Sequence, residues 1–179
     1  MAWKQIDKEY VLKNKWIAVR KDQVLLPSGV RIDDFYVIER PKLVHVIAIT
    51  KEGKFVFEKQ YRYAINRTCL EICAGMVEAN EMPINAAKRE LLEETGYATD
   101  DWTFLGEHAV DPCNMTELSY SFLAKNVDRV SAPILEKTEE IDTVLLSEKE
   151  VLEALQNGDI VSSLMAAPLW QYFHLKNII

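Results

Sequence analysis

The segment from Gly75 to Tyr97, GMVEANEMPINAAKRELLEETGY, constrains this chain more than any other. At about 100° per residue of an α-helix, Glu90, Glu93 and Glu94 fall within an arc of about 100°. Carboxylates this close repel one another on a helix, so the pattern predicts either a solvated acidic face or a site for a hard divalent cation. Because carboxylates come here without histidine or cysteine, the second interpretation favours Mg²⁺ or Mn²⁺ over zinc.

Residues typical of helix ends occur at both ends of this segment. Pro83 suits a first helical turn, and Gly96 suits a C-terminal stop. Ile84, Ala87 and Leu91 form an apolar stripe beside the glutamates, which predicts that the helix packs against a core.

The rest of the chain indicates one α/β fold with a mixed sheet. Strand-like runs dominate residues 1–40, and residues 41–179 combine further strands with the glutamate helix and two closing helices. A chain of 179 residues with 49% hydrophobic residues can bury a core of its own. We therefore expect an N-terminal β-rich extension over residues 1–40 and the main domain over residues 41–179.

Charge and cysteine content narrow the classes of partner. The net charge of −7 argues against a nucleic-acid-binding surface, which needs a basic face. No apolar run approaches the roughly 18 residues of a membrane span, and the N-terminus lacks the apolar stretch of a signal peptide. Three cysteines do not indicate a disulfide framework, and Cys69 and Cys73 are expected to be buried, reduced thiols. These features predict a cytoplasmic protein without nucleic-acid or membrane partners.

The spacing of the charged residues resembles the Nudix box of the Nudix hydrolase family. The segment reads Gly75, five residues, Glu81, seven residues, Arg89-Glu90-Leu91, one residue, Glu93-Glu94, one residue, and Gly96-Tyr97. It matches the box at every defined position. The resemblance implies a Nudix-type α/β/α sandwich in which a loop–helix–loop holds divalent cations against a diphosphate. It also implies hydrolysis of a nucleoside diphosphate linked to another moiety.

The resemblance also assigns roles within the box. It makes metal ligands of Glu90, Glu94 and the backbone carbonyl of Ala74. Glu93 becomes a ligand or a base, and Arg89 orients the carboxylates, partly by pairing with Glu93. The implied cofactor is Mg²⁺, with Mn²⁺ as a substitute, which neutralises phosphate oxygens and lowers the pKa of bound water.

Segments outside the box resemble the ADP-ribose and ADP-sugar pyrophosphatases of this family. QYRYAINRTCLEICAG is similar to their QYR…E-x-P-A-G stretch, and DPCNMTE occupies the place of their S-P-G…E loop. The resemblance implies that Arg62 and Glu117 bind substrate, and the alternative for Arg62 is a pairing with a surface carboxylate. It further implies that Trp16, on the N-terminal extension, stacks on the base. A place in the core or in a dimer interface is the alternative for Trp16.

An acidic loop in KTEEIDTV matches the part of these enzymes that supplies a general base. We predict Glu139 for this role, with Glu140 and Glu136 as alternatives. The resemblance and the apolar, β-rich extension also imply a homodimer.

ADP-ribose, split into AMP and ribose 5-phosphate, is the substrate that these resemblances favour. Cys73 replaces the proline of E-x-P-A-G, as in GDP-mannose-type relatives, so GDP-mannose or another nucleotide sugar is the alternative. A non-catalytic ADP-ribose sensor is disfavoured by the intact box glutamates. An isopentenyl diphosphate isomerase is disfavoured by the form of the box, and an RNA pyrophosphohydrolase by the acidic charge.

Overall fold

The computed structural model describes residues 2–176, which form two compact units. One unit contains the described residues up to Lys42 together with His108–Leu118. The other contains Leu43–Glu107 and the described residues from Ser119 onward. None of the helices within residues 2–176 combines the length and the hydropathy that crossing a membrane requires.

The first unit is built on a three-stranded antiparallel sheet in the order β1-β2-β3. Its strands are β1 (Lys4–Lys13), β2 (Ala18–Leu25) and β3 (Arg31–Glu39). Strands β2 and β3 form an antiparallel hairpin around Pro27-Ser28-Gly29. Strand β1 was not anticipated, because its ten residues mix charged and apolar types and all of them are exposed.

The second unit contains a mixed sheet in the order β11-β5-β4-β10-β8, with β6 beside β5, β7 beside β4 and β9 beside β10. Its strands are β4 (Leu43–Thr50), β5 (Phe55–Arg62), β6 (Arg67–Glu71), β7 (Cys73–Met76), β8 (Tyr97–Ala98), β9 (Asp101–Ala109), β10 (Leu118–Arg129) and β11 (Ile141–Leu146). Strands β4 and β10 run parallel, whereas β4 and β5 form an antiparallel hairpin.

Helices cover both faces of this sheet. They are α1 (Pro83–Glu90), α2 (Glu148–Asn157) and α3 (Ser163–Leu175). Successive side chains of a strand point to opposite faces, and β4 shows this directly. Val46 and Ala48 belong to the buried cluster that contains Leu91, next to α1, whereas Ile47 belongs to the cluster that contains Phe173 of α3. The predicted α/β/α sandwich is therefore confirmed.

The stretch TCLEICAG forms two strands. The chain pairs with β5 along β6 and then, after Ile72, with β4 along β7. This change of partner breaks the strand and places Cys73 and Ala74 beside the central strand of the sheet.

The sequence suggested that the glutamate segment forms one uniform α-helix, but the structure shows two different helical parts. Helix α1 ends at Glu90, and a π-helical turn spans Leu91–Thr95. Within this turn the buried Thr95 hydroxyl donates to the Leu91 carbonyl at 2.5 Å. Gly96 ends the turn in the left-handed conformation, at φ +75°.

Candidate active site

Arg89 lies at the centre of an ion-pair network in the glutamate segment. Its Nε and Nη2 donate to Glu81 at 3.1 and 3.0 Å, and its Nη1 donates to Glu90 at 2.8 Å and to Glu93 at 3.2 Å. Nη2 also donates to the carbonyl oxygen of Met76 at 3.0 Å. Hydrogen bonds to Glu81 and the other carboxylates raise the pKa of Arg89, which stays positively charged. The expected pairing with Glu93 is present. The Arg89 guanidinium thus offsets the repulsion among the carboxylates of Glu81, Glu90 and Glu93.

The carboxylates of Glu90 and Glu94 face β7 and are largely buried. The backbone N–H of Ala74 donates to Glu94 Oε2 at 3.3 Å. Glu90 lies directly over Gly75, where an added Cβ would come within 2.0 Å of Glu90 Cδ. The side chain of Glu93, by contrast, is 45% exposed. The structure thus brings the predicted ligands Ala74, Glu90 and Glu94 to one place and leaves Glu93 at its outer side.

Glu58, on β5, is a residue of this site that sequence reasoning missed. A carboxylate oxygen of Glu58, the Sγ of Cys73 and a carboxylate oxygen of Glu94 all lie within 4.8 Å of one another, and all three residues are buried. Glu58 Oε1 has no hydrogen-bond partner in the described part of the chain. The available signal was the position of Glu58 in FVFEKQYR, where a glutamate follows three apolar residues of a buried strand.

Burial makes the carboxylates and the thiol of this cluster weaker acids. It raises the pKa of Glu94 to about 8, raises the pKa of Glu90 against the opposing effect of Arg89, and raises the pKa of Glu58 well above its usual range. Burial likewise raises the pKa of the Cys73 thiol. Carboxylates in a low-dielectric site are stabilised either by protons or by a cation. The donor atoms present therefore fit a divalent cation, which would replace those protons.

The raised pKa of Glu94 predicts how the stability of the metal-free protein depends on pH. Between the ordinary value of 4.5 and about 8, the folded state holds a proton that the unfolded state releases. The free energy of unfolding should therefore fall as pH rises through this window, by at most about 1.4 kcal/mol per pH unit for one proton. Urea unfolding in a chelator between about pH 5 and about pH 8 measures this slope. Glu94→Gln should reduce this slope, while Glu58 and Glu90, whose pKa values are also raised, maintain the rest of it. An identical slope in that variant would contradict the assignment.

Gly75→Ala tests the close approach of β7 to Glu90. The added Cβ would overlap the end of a flexible side chain, so the Glu90 carboxylate must swing away while the backbone stays in place. We expect a loss of about 10- to 100-fold in Mn²⁺ affinity, comparable to the removal of a group that orients a ligand. Thermal unfolding should change little. Mn²⁺ titration calorimetry gives the affinity, and binding equal to the wild type would show that Glu90 is not a ligand.

Arg62 pairs with a buried carboxylate. Its Nε donates to both oxygens of Glu71, at 2.9 and 3.1 Å, and its Nη2 also bonds Glu71. The Arg62 side chain is 43% exposed, and its Nη1 stands outside this pair. Its positive charge lowers the pKa of Glu58 against the effect of burial, so it acts on the carboxylate cluster at a distance.

Glu139 is half-buried in the acidic loop before β11. Its Oε2 accepts a hydrogen bond from the backbone N–H of Glu136 at 2.8 Å. The negative charge of Glu139 contributes to the raised pKa values of Glu90 and Glu94. Glu140 and Glu136 are exposed.

The other predicted substrate residues, Trp16 and Glu117, belong to the first unit. Trp16 is 56% exposed, and the ammonium of Lys15 lies 4.1 Å from its ring centroid. Glu117 is buried, and its carboxylate lies 3.6 Å from Arg40 Nε. Burial raises the pKa of Glu117. Their predicted contacts with substrate stay predictions.

Comparisons with known proteins place the chain in a family. Residues 3–38 match the nucleoside diphosphate sugar hydrolase N-terminal domain, and residues 39–164 match the NUDIX domain. The chain is 30% identical to the ADP-ribose pyrophosphatase of Bacillus subtilis strain 168, covering 97% of this chain and 93% of that protein. It is 32% identical to the methanol dehydrogenase activator of Bacillus methanolicus over the same shares.

Two further matches are weaker, because one covers only part of this chain and the other has low sequence identity. The GDP-mannose pyrophosphatase of Enterobacter sp. strain 638 is 32% identical over 61% of this chain and 57% of that protein. A solved structure, described as an ADP compounds hydrolase, superposes with a TM-score of 0.85 at 18% identity. It covers 100% of this chain and 98% of its own, and it shows that the fold is shared. By its box, its fold and its relatives, the chain belongs to the Nudix hydrolase family.

Proposed function

We propose that this Nudix hydrolase splits the pyrophosphate bond of a nucleoside diphosphate sugar, with ADP-ribose as the preferred substrate and AMP and ribose 5-phosphate as products. The observation that carries the proposal is the pair of buried carboxylates, Glu90 and Glu94, held against the backbone of Ala74 and Gly75. Full-length similarity to an ADP-ribose pyrophosphatase supports the choice of substrate.

The residues of the box would hold Mg²⁺, or Mn²⁺ as a substitute. Glu90, Glu94 and the carbonyl of Ala74 are the proposed ligands, and the exposed Glu93 is a further ligand or a base. When bound, the cation supplies charge neutralisation and acidifies water. Arg89 is a positioning residue, because its hydrogen bonds fix the orientation of the carboxylates.

Two residues of the second unit would serve the reaction beside the metal ligands. Glu139 would accept the proton of the attacking water, since its charge already acts on Glu90 and Glu94. Arg62 would bind a phosphate through Nη1 while Glu71 holds its other nitrogens in place. An arginine whose guanidinium is already oriented loses less conformational entropy when it binds a phosphate.

The first unit would contribute to assembly and to recognition of the base. The edge strand β1 leaves a row of backbone groups and apolar side chains available to a second copy of the chain. Its region exposes large apolar residues: Trp3, Ile6, Tyr10, Val11, Leu12 and Trp16. We propose residues 1–40 as the dimerisation element of a cytoplasmic homodimer, with Trp16 stacking on the base and Glu117 contacting the nucleotide. Sedimentation showing a monomer would remove this part of the proposal.

GDP-mannose is the second candidate substrate, and a specific observation favours it. The segment EICAG departs from E-x-P-A-G at Cys73, and a GDP-mannose pyrophosphatase is among the relatives. Hydrolysis of ADP-ribose, ADP-glucose, GDP-mannose and NADH at equal concentration, with Mg²⁺, ranks the substrates. We expect ADP-ribose to be cleaved fastest and Glu139→Gln to slow its cleavage more than Glu140→Gln. Absence of cleavage across this panel would reject the proposed function.

A further inference from the structure

The thiol of Cys73 faces the carboxylate cluster. Cys73 is the first residue of β7 and is 1% exposed. Its sulfur and one oxygen each from Glu58 and Glu94 lie within 4.8 Å of one another. The three side chains come from three different elements, namely β5, β7 and the π-helical turn.

The distances suit one shared ion. Zinc bonds thiolate sulfur at about 2.3 Å and carboxylate oxygen at about 2.0–2.2 Å. Two such donors on one ion are therefore at most about 4.5 Å apart, and tetrahedral geometry brings them closer. A rotation of the Glu58 or Glu94 side chain that moves its carboxylate by a few tenths of an ångström to about 1 Å would bring the donor atoms within this distance. Both carboxylates lie at the ends of flexible side chains, which allows such a movement.

Glu58 is an independent indication that this cluster can accept a ligand. It is 3% exposed, and its Oε1 lacks a hydrogen-bond partner among residues 2–176. A buried carboxylate oxygen without a partner costs free energy. Arg62 donates its hydrogen bonds to Glu71, so its positive charge acts on Glu58 only at a distance. A cation between Glu58, Cys73 and Glu94 would give the buried Glu58 carboxylate a partner of opposite charge.

We propose that Glu58, Cys73 and Glu94 form a mixed thiolate–carboxylate site for a divalent ion of the zinc class. Sulfur is a soft ligand that Mg²⁺ does not use, whereas zinc, cobalt and cadmium ions bind it well. On binding, the sulfur–hydrogen bond of Cys73 is replaced by a sulfur–metal bond, and the proton leaves to solvent. No atom is oxidised or reduced.

This site shares Glu94 with the proposed magnesium site. The carboxylate of Glu94 cannot serve both ions in full, so a zinc-class ion should compete with Mg²⁺ and slow Mg²⁺-dependent hydrolysis. The inference extends the proposed cation site, but its central test depends on neither substrate nor hydrolysis.

Absorption spectroscopy tests the site directly, because a cadmium– or cobalt–thiolate bond gives a charge-transfer band in the ultraviolet. The chain has three cysteines, so Cys69→Ser/Cys113→Ser leaves Cys73 as the sole thiol. Cys69 is a matched buried thiol outside the cluster, and Cys113 is exposed. The metal-free sole-thiol protein is titrated with Cd²⁺, and wild type is compared with Cys73→Ser.

We expect the sole-thiol protein to give the band and to saturate at one Cd²⁺ per chain. Cys73→Ser should lose this saturable band, and Glu58→Gln should weaken Cd²⁺ binding by about tenfold or more. A sole-thiol protein without a band overturns the proposal. Should that variant fail to fold by circular dichroism, an identical Cd²⁺ difference spectrum for wild type and Cys73→Ser overturns it instead.

The two proposals fail separately. A wild-type protein that hydrolyses nucleotide sugars with Mg²⁺ but shows no Cys73-dependent band refutes the thiolate site alone. A protein that shows the band but cleaves nothing refutes the proposed function and leaves the thiolate site in place. In an active protein, Cys73→Ser should also reduce inhibition by Zn²⁺, whereas Cys69→Ser should not.

Discussion

Glu94→Gln should reduce Mg²⁺-dependent hydrolysis by on the order of 10²- to 10³-fold while the protein stays folded. The substitution keeps the shape of the side chain and an oxygen that can accept the Ala74 N–H. It removes the negative charge through which Glu94 would bind the cation. Charge stabilisation by a bound metal is worth several kcal/mol in a transition state, and each 1.36 kcal/mol is about tenfold in rate. Initial rates at saturating Mg²⁺ measure the loss.

The fold of Glu94→Gln should be at least as stable as that of the metal-free wild type. A neutral amide replaces a carboxyl group that is 7% exposed and whose ionisation burial opposes. Glu153→Gln, on the exposed face of α2, is the control for the loss of one negative charge and should keep full activity. Wild-type rates in Glu94→Gln would remove Glu94 from the metal site.

Gly96→Ala should destabilise the protein by about 2–4 kcal/mol. Gly96 has φ +75°, where an alanine costs about 1 kcal/mol or somewhat more. An added Cβ would also lie 2.2 Å from the backbone oxygen of Ser131, which cannot rotate away. The Gly96 carbonyl accepts from the N–H groups of Val130 and Ser131 at 2.9 and 3.2 Å, so a shift of either segment loses these bonds. Overpacking of this kind typically adds about 1–3 kcal/mol.

Gly158→Ala is the matched control for this prediction. Gly158 ends α2 with φ +74°, yet nothing lies within 4 Å of the position where its Cβ would be. It should therefore show the conformational cost alone, about 1 kcal/mol. Urea unfolding of both variants gives the difference. Equal destabilisation would mean that the contact between Gly96 and Ser131 has no energetic consequence.

Much of the fold follows from local patterns in the sequence. The apolar run of β4 is typical of a strand that is covered on both faces, and Val46 and Ile47 contribute to two different buried clusters. The π-helical turn over Leu91–Thr95 was not predictable from periodicity, because the apolar and charged positions of this segment fit a regular α-helix equally well. Strand β1 escaped detection because an exposed edge strand carries no alternating pattern of burial.

The site was predictable where charge and spacing carry the information. Arg89 pairs with Glu93 as its i,i+4 spacing suggests, but its contact with Glu81 depends on how the preceding loop folds back. Glu58 and Cys73 meet Glu94 only because β5 and β7 lie near the π-helical turn in space. Residues that lie far apart in the sequence give no local pattern for such a contact. The sequence signal was a single glutamate in an apolar strand.

Mn²⁺ binding by the metal-free protein tests the central claim most directly, because electron paramagnetic resonance counts free Mn²⁺ without any substrate. The wild type should bind Mn²⁺ in competition with Mg²⁺, and Glu90→Gln/Glu94→Gln should bind it at least about 100-fold more weakly while retaining its circular dichroism spectrum. Undiminished Mn²⁺ binding by the double variant would contradict the account, because the two carboxylates that face Ala74 and Gly75 would then not hold the cation.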